Sequence, residues 1–164
     1  MHKTLAALLS QDRIITDLRA ASRWEAIDEL LNHLIDTRAL DAANRGAITA
    51  VVRKREQSMS TGIGFGIGIP HATTDCISQP VAALGRSNRG IAFDALDGQP
   101  VNLVVLFLVP QGQFQQHLQT MAGIAKLLQH ANIRQALQHA PDAAAILQLI
   151  QHHEVLTAPQ AVHP

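Results

Sequence analysis

Nine histidines are spread through the 164 residues, and their neighbours decide which of them can do chemistry. His71 ends the run Ser60-Thr61-Gly62-Ile63-Gly64-Phe65-Gly66-Ile67-Gly68-Ile69-Pro70-His71, in which glycine alternates with apolar residues before a proline. A neutral imidazole has a free lone pair, and a reference pKa of about 6.5 leaves most of the ring neutral near neutrality, so a histidine held in one place needs little tuning to become a nucleophile. Arg55 continues the helical row Ile48, Val51, Val52. A guanidinium there either satisfies the last carbonyls of its helix or turns inward, where its planar fork suits an anion. His117 opens a second apolar row, with Met121, Ile124, Ala125 and Leu128, shortly after Pro110.

The other histidines lack such constraints. His130, His139, His152, His153 and His163 are assigned to the surface, and His2 and His33 are given no role. The cluster His152-His153-Glu154 is not read as a metal site, because adjacent residues on a helix point apart and the chain has no His-Glu-x-x-His or cysteine ligand set. Two common glycine motifs also fail. No lysine follows the glycines as a phosphate-binding P-loop requires, and the sixth position of Gly-x-Gly-x-x-Gly falls on Ile67, Ile69 or His71.

The elements around these residues follow from patterning. Gly62 to Ile69 reads as extended backbone with side chains on one face and bare main chain on the other, open to close approach, and Pro70 is expected to end the pairing because it has no N–H. Ile14 to Leu18 is β-prone. Ser22 with Glu25 has capping-box spacing ahead of the stripe Trp24, Ile27, Leu30, Leu31, Leu34, Ile35, and Asp41 is placed as the cap of the helix that carries Arg55. Val81 to Gly85 is expected as a strand, Asp97-Gly98 as a turn, and the apolar run Val101 to Val109 as a central strand covered on both faces. Weakly periodic helices are expected at about 132–139 and 142–152. Strands mixed with helices indicate an α/β fold in three layers, with helices on both faces of one sheet.

Composition narrows the class. Thirteen Lys plus Arg balance thirteen Asp plus Glu, which gives no general electrostatic case for nucleic acid or anionic membrane. The single cysteine, Cys76, has no internal partner, and no secretory start or membrane-length apolar run is seen. The expected location is the cytoplasm, with one domain over 1–156 and a disordered tail over 157–164.

Arg55-Glu56, Ser60-Thr61-Gly62-Ile63-Gly64 and Gly66-Ile67-Gly68-Ile69-Pro70-His71 together resemble the active-site signature of enzyme IIA of the sugar phosphotransferase system, mannitol/fructose class, with the nitrogen-regulatory branch most alike. The resemblance extends through Ile91 to Val101, Leu108-Val109-Pro110 and His117-Leu118, in the family's order. It implies a mixed sheet of about five strands with the active histidine at its edge. It also implies that His71 accepts a phosphoryl group from the histidine phosphocarrier protein and passes it to an enzyme IIB or a regulated target, with His117 and Arg55 beside it and Ser60, Thr61 and Gly62 in support. No cofactor is implied, since phosphoryl transfer rests chiefly on positioning and charge neutralisation, which an arginine fork and a second imidazole supply. A lone domain with no attached IIB or IIC segment favours the nitrogen-regulatory branch. The alternatives are a free-standing fructose/mannitol-type IIA and a non-catalytic binding module of the same fold. Two departures bear on the last: Phe65 stands where an asparagine or acidic residue is usual, which leaves the His71 tautomer open, and Ala72-Thr73 replaces the common Gly-Lys.

Overall fold

The computed structural model describes residues 3–157. In chain order its helices are α1 (Leu5–Leu8), α2 (Arg23–Asp36), α3 (Arg45–Ser58), α4 (Leu118–Gln129), α5 (Ala131–His139) and α6 (Ala143–Thr157). Its strands are β1 (Ile14–Ile15), β2 (Gly62–Gly64), β3 (Ile67–Gly68), β4 (His71–Thr74), β5 (Val81–Ile91) and β6 (Val101–Pro110). The sheet is mixed, in the order β1-β5-β6-β3-β2, with β4 also on β6. Pairing is antiparallel between β5 and β6 and between β2 and β3, and parallel elsewhere.

β6 is the strand on which both cores are built. Leu103, Val105, Phe107 and Val109 enter one core with residues of α1, α4, α5 and α6, while Val104, Leu106 and Leu108 enter the other with residues of α2 and α3. Alternate side chains of a strand point to opposite faces, so a strand apolar at almost every position is what two covered faces require. The three layers are therefore the expected ones, with six strands where about five were expected.

Several elements differ from the expectation, each for a local reason. The glycine run is not one extended strand. It folds back as a β2–β3 hairpin through Phe65 and Gly66, whose φ angles of 58° and 76° are the paired left-handed conformations of a tight two-residue turn. The bare face of the run is covered from within: a Cβ built on Gly62 would lie 2.7 Å from that of Ala95, and one on Gly68 would lie 2.7 Å from the Phe93 ring. Pro70 interrupts the pairing without ending it. Its carbonyl accepts from the Phe107 N–H at 3.0 Å, and the register with β6 is the same on both sides, Ile67 opposite Leu103 and His71 opposite Phe107.

Smaller differences follow the same logic. Of the β-prone stretch, β1 keeps Ile14 and Ile15 opposite Leu84 and Gly85 and the Leu18 N–H donates to the Arg86 carbonyl, while β5 itself continues past Gly85 to Ile91. Ser22 caps α2 as expected, accepting from the Glu25 N–H, and Glu25 reaches back to the N–H of Ala21. Asp41 caps a short 3₁₀ turn, Ala42–Asn44, from which α3 starts. Thr157 closes α6, and the expected disordered tail otherwise lies outside the described residues.

Candidate functional site

β4 starts on His71 at a position fixed by its pairing with β6, and the imidazole is then fixed by its own strand. Its Nδ1 lies 2.8 Å from the carbonyl oxygen of Ile69. A carbonyl only accepts, so Nδ1 carries the proton and the lone pair of the neutral ring sits on Nε2. Burial holds the ring's pKa below its ordinary value and the nearby Arg55 guanidinium pushes the same way, against the opposing pull of the Ile69 carbonyl and of Glu56. The ring is kept neutral, the form a nucleophile needs. The tautomer does not depend on residue 65: Phe65 is at the exposed hairpin tip, its N–H on Asp97 and its ring 5.0 Å from the Arg134 guanidinium.

His71 and Arg55 line one cleft of about 470 Å³, together with Val51, Lys54, Ser58, Thr73 and Phe114. Phe114 stacks near the imidazole, with ring centroids 6.4 Å apart and planes at 17°. Arg55 is in the last turn of α3, where its Nη1 donates to the Met59 carbonyl at 3.0 Å. It thus does what a helix-ending arginine does, and this one side-chain bond among the described residues leaves the rest of its five N–H donors available. The fully buried row of α3 runs Ile48, Val52, Glu56 at four-residue spacing. Arg55 lies on the flank of that row, towards the cleft, and Glu56 holds the buried position that the spacing assigned to the arginine.

The other candidates are placed differently. His117 ends the 3₁₀ turn Gln115–His117 that leads into α4, and it does not line the cleft. Its Nε2 is 3.4 Å from the Gln113 side-chain oxygen, and its Nδ1 is buried without a hydrogen-bond partner among the described residues. Ser60 donates from its hydroxyl to the Phe93 carbonyl and accepts from the Gly62 N–H. Thr61 donates its N–H and its hydroxyl to the two oxygens of Glu56, at 2.9 and 2.6 Å. Neither residue lines the cleft, nor does Gly62, and these hydrogen bonds commit their groups inside the fold. Among the described residues no group of three or more His, Cys, Asp or Glu is set to hold a metal.

Two site features were not read from the sequence. Phe114 carried no signal beyond its apolar type, and Glu56 was visible only as the second residue of the Arg-Glu pair. Helical arithmetic offered a signal for Glu56, since positions 48, 52 and 56 are successive fourths on one face.

Comparison with known proteins decides the family. The family model described as "Phosphoenolpyruvate-dependent sugar phosphotransferase system, EIIA 2" matches residues 7–153. The chain belongs to that family. Among its relatives, the PTS system fructose-specific EIIA component of Haloferax volcanii is 40% identical over 120 residues, covering 73% of this chain and 77% of that protein. A nitrogen regulatory protein of Bradyrhizobium diazoefficiens is 33% identical over 143 residues, covering 87% and 92% respectively. The crystal structure of nitrogen regulatory protein IIA-Ntr from Neisseria meningitidis superposes with a TM-score of 0.81 at 26% identity, over 89% of this chain and 98% of that one. EIIA components of this family belong to the sugar phosphotransferase system. No helix among the described residues is long and apolar enough to cross a membrane.

Proposed function

We propose that the chain is a phosphohistidine carrier that accepts a phosphoryl group on Nε2 of His71 from the histidine phosphocarrier protein. The observation that carries this reading is the Nδ1–Ile69 hydrogen bond, which leaves the lone pair of a neutral ring on Nε2 in a cleft shared with Arg55. Nε2 attacks phosphorus as the bond to the donor's imidazole nitrogen breaks, and that nitrogen leaves with the electron pair. No proton has to move at His71. The ring becomes cationic with Nδ1–H in place, and the Ile69 carbonyl is already positioned to stabilise it. The uncommitted donors of Arg55 neutralise the phosphoryl oxygens, and His117, at the start of the helix that follows the cleft's Phe114, is the second residue assigned to stabilise them.

The phosphoryl group then passes to an enzyme IIB or remains as a signal read by a regulated target. The regulatory role is supported by the extent of the match to IIA-Ntr, at a TM-score of 0.81. The transport role has its own support in the 40% identity to a fructose-specific EIIA component. The test is incubation with phosphoenolpyruvate, the first enzyme of the system and its carrier, followed by intact mass and peptide mapping. One phosphoryl group is expected, on His71, stable in base and lost in acid, and none on a folded His71→Ala variant. An unchanged mass would leave a binding module without phosphotransfer, and label on Ser60, Thr61 or His117 would overturn the site assignment. Mixing the phosphorylated chain with a fructose-class IIB then separates the roles: rapid loss of label marks transport, and persistent label marks a signal.

A further inference from the structure

The carboxylate of Glu56 is almost wholly buried, 1% exposed, where it meets Arg23 at 3.4 Å and both donors of Thr61. Burying a carboxylate is costly unless its oxygens are paired, so such a group is retained where its hydrogen bonds hold something in place. What it holds is Thr61, the residue immediately before β2, the first strand of the hairpin that precedes His71. The Thr61 carbonyl in turn accepts the Ile69 N–H at 3.1 Å, and the Ile69 carbonyl accepts from Nδ1 of His71 at 2.8 Å. The chain of contacts therefore runs from the end of α3, across the neck of the hairpin, to the imidazole.

We infer that Glu56 is a positioning residue for His71, holding Thr61 and through it Ile69 so that the imidazole stays in the tautomer with Nε2 free. The inference rests on the carrier reading for its consequence, since the tautomer matters to transfer only if Nε2 takes the phosphoryl group. The coupling is mechanical. Each successive bond leaves its residue through a different peptide group, N–H on one side of the Cα and C=O on the other, so what is transmitted is position and no polarisation of a shared amide. The residue that follows Arg55 thus acts on the opposite side of the ring from the phosphate: Arg55 lines the cleft, and Glu56 sets the backbone behind it.

The test reads the imidazole directly. In the full chain with ¹⁵N-labelled histidine, two-bond ¹H–¹⁵N correlation of His71 should show the Nδ1–H tautomer. In Glu56→Ala the ratio should move by about fivefold or more towards Nε2–H, the size of one ordinary hydrogen bond, with phosphate appearing on both ring nitrogens and labelling slowed about tenfold. Glu56→Gln keeps an oxygen for the Thr61 N–H and offers an amide donor to its hydroxyl, so the Nδ1–H tautomer should be retained and labelling should be faster than in Glu56→Ala. A folded Glu56→Ala with the native tautomer ratio overturns the proposal, as does a Glu56→Gln variant as mixed as the alanine. If Glu56→Ala does not fold, Thr61→Val decides. It removes only the hydroxyl bond and should give a smaller shift in the same direction, and an unchanged ratio refutes the proposal. Because the tautomer is read without any phosphoryl donor, failure of the carrier reading would show as an unlabelled native chain whose Glu56 dependence is intact.

Discussion

Replacing Gly68 by alanine tests whether the hairpin is held against Phe93 as closely as the structure shows. The added Cβ would lie 2.7, 2.9 and 3.0 Å from Cζ, Cε1 and Cε2 of Phe93, against a comfortable carbon–carbon separation of about 3.5–4.0 Å. Something must yield by about 1 Å. The Phe93 ring is 1% exposed in the core beneath the sheet, so the displacement falls on packed atoms at either end. Overpacking of this kind costs about 1–3 kcal/mol, and at this chain length each kcal/mol moves Tm by about 2–4 °C, so calorimetry should show a fall of roughly 2–12 °C. Gly123 is the internal control: it lies inside α4 with nothing within 4 Å of an added Cβ, so Gly123→Ala should stabilise by about 0.5–1 kcal/mol. Since Gly68 adjoins Ile69, the same displacement should slow labelling of His71. Adding Phe93→Leu should recover part of both losses, so that the double variant loses less than the sum of the single ones. A Gly68→Ala chain that melts at or above the native temperature and labels at the native rate would refute the reasoning.

Arg55→Lys keeps a charge but loses the planar fork, so it should slow phosphoryl transfer by tenfold or more on the order of one lost charge-assisted bond, with Tm nearly unchanged. A large fall in Tm with normal transfer would mark it as a helix-end strut only. His117→Ala should still be labelled but pass the group on more slowly, and a native onward rate would show it to be ordinary packing. Arg86→Met should cost on the order of 3 kcal/mol or more in urea unfolding, because the buried guanidinium donates to the carbonyls of Thr16, Leu137 and Ala140 and the variant leaves those acceptors unpaired. The folded pKa of His71 lies below its ordinary value, so as pH falls below about 6.5 the unfolded chain takes up a proton before the folded one does. The His71 contribution to stability is therefore fully present above about pH 6.5 and is lost as pH falls through the folded pKa. Urea midpoints of the native chain should fall more steeply there than those of His71→Ala, and native labelling should hold until pH is below that point.

What the sequence made legible were features with a local cause. The Ser22–Glu25 spacing located the start of α2, the doubly apolar run located β6, and a proline before a histidine marked the imidazole that lines the cleft with Arg55. The misreadings came from contacts between residues far apart in the chain and from the rotation of one helix. Alternating glycines look alike whether they meet a partner or the molecule's own Phe93 and Ala95, which are some thirty positions away, and only the paired left-handed angles at Phe65 and Gly66 reveal the hairpin. Arg55 and Glu56 are adjacent, and a rotation of one residue about α3 decides which is buried. The four-residue row from Ile48 through Val52 to Glu56 gave the answer that the mixed three- and four-residue row missed. Arg86 is the clearest case of a residue with no sequence signal: it follows the expected end of its strand at Gly85, yet it binds the end of α5, about fifty residues later.

The pairing of His71 with Phe107 also sets an order on biosynthesis. β4 is parallel to β6, so its partner is made later, after the β5 strand and the turn that follows it. A nascent chain released before Pro110 contains the Arg55-Glu56 pair, the hairpin sequence and the Pro-His step, yet has no strand to fix their register. Joining parallel segments across such a loop carries its entropic cost before any contact compensates it. The Arg-Glu pair, the glycine run and the Pro-His step are thus translated before the cleft exists, and the cleft takes shape only when an apolar strand with no chemistry of its own is threaded into the middle of the sheet.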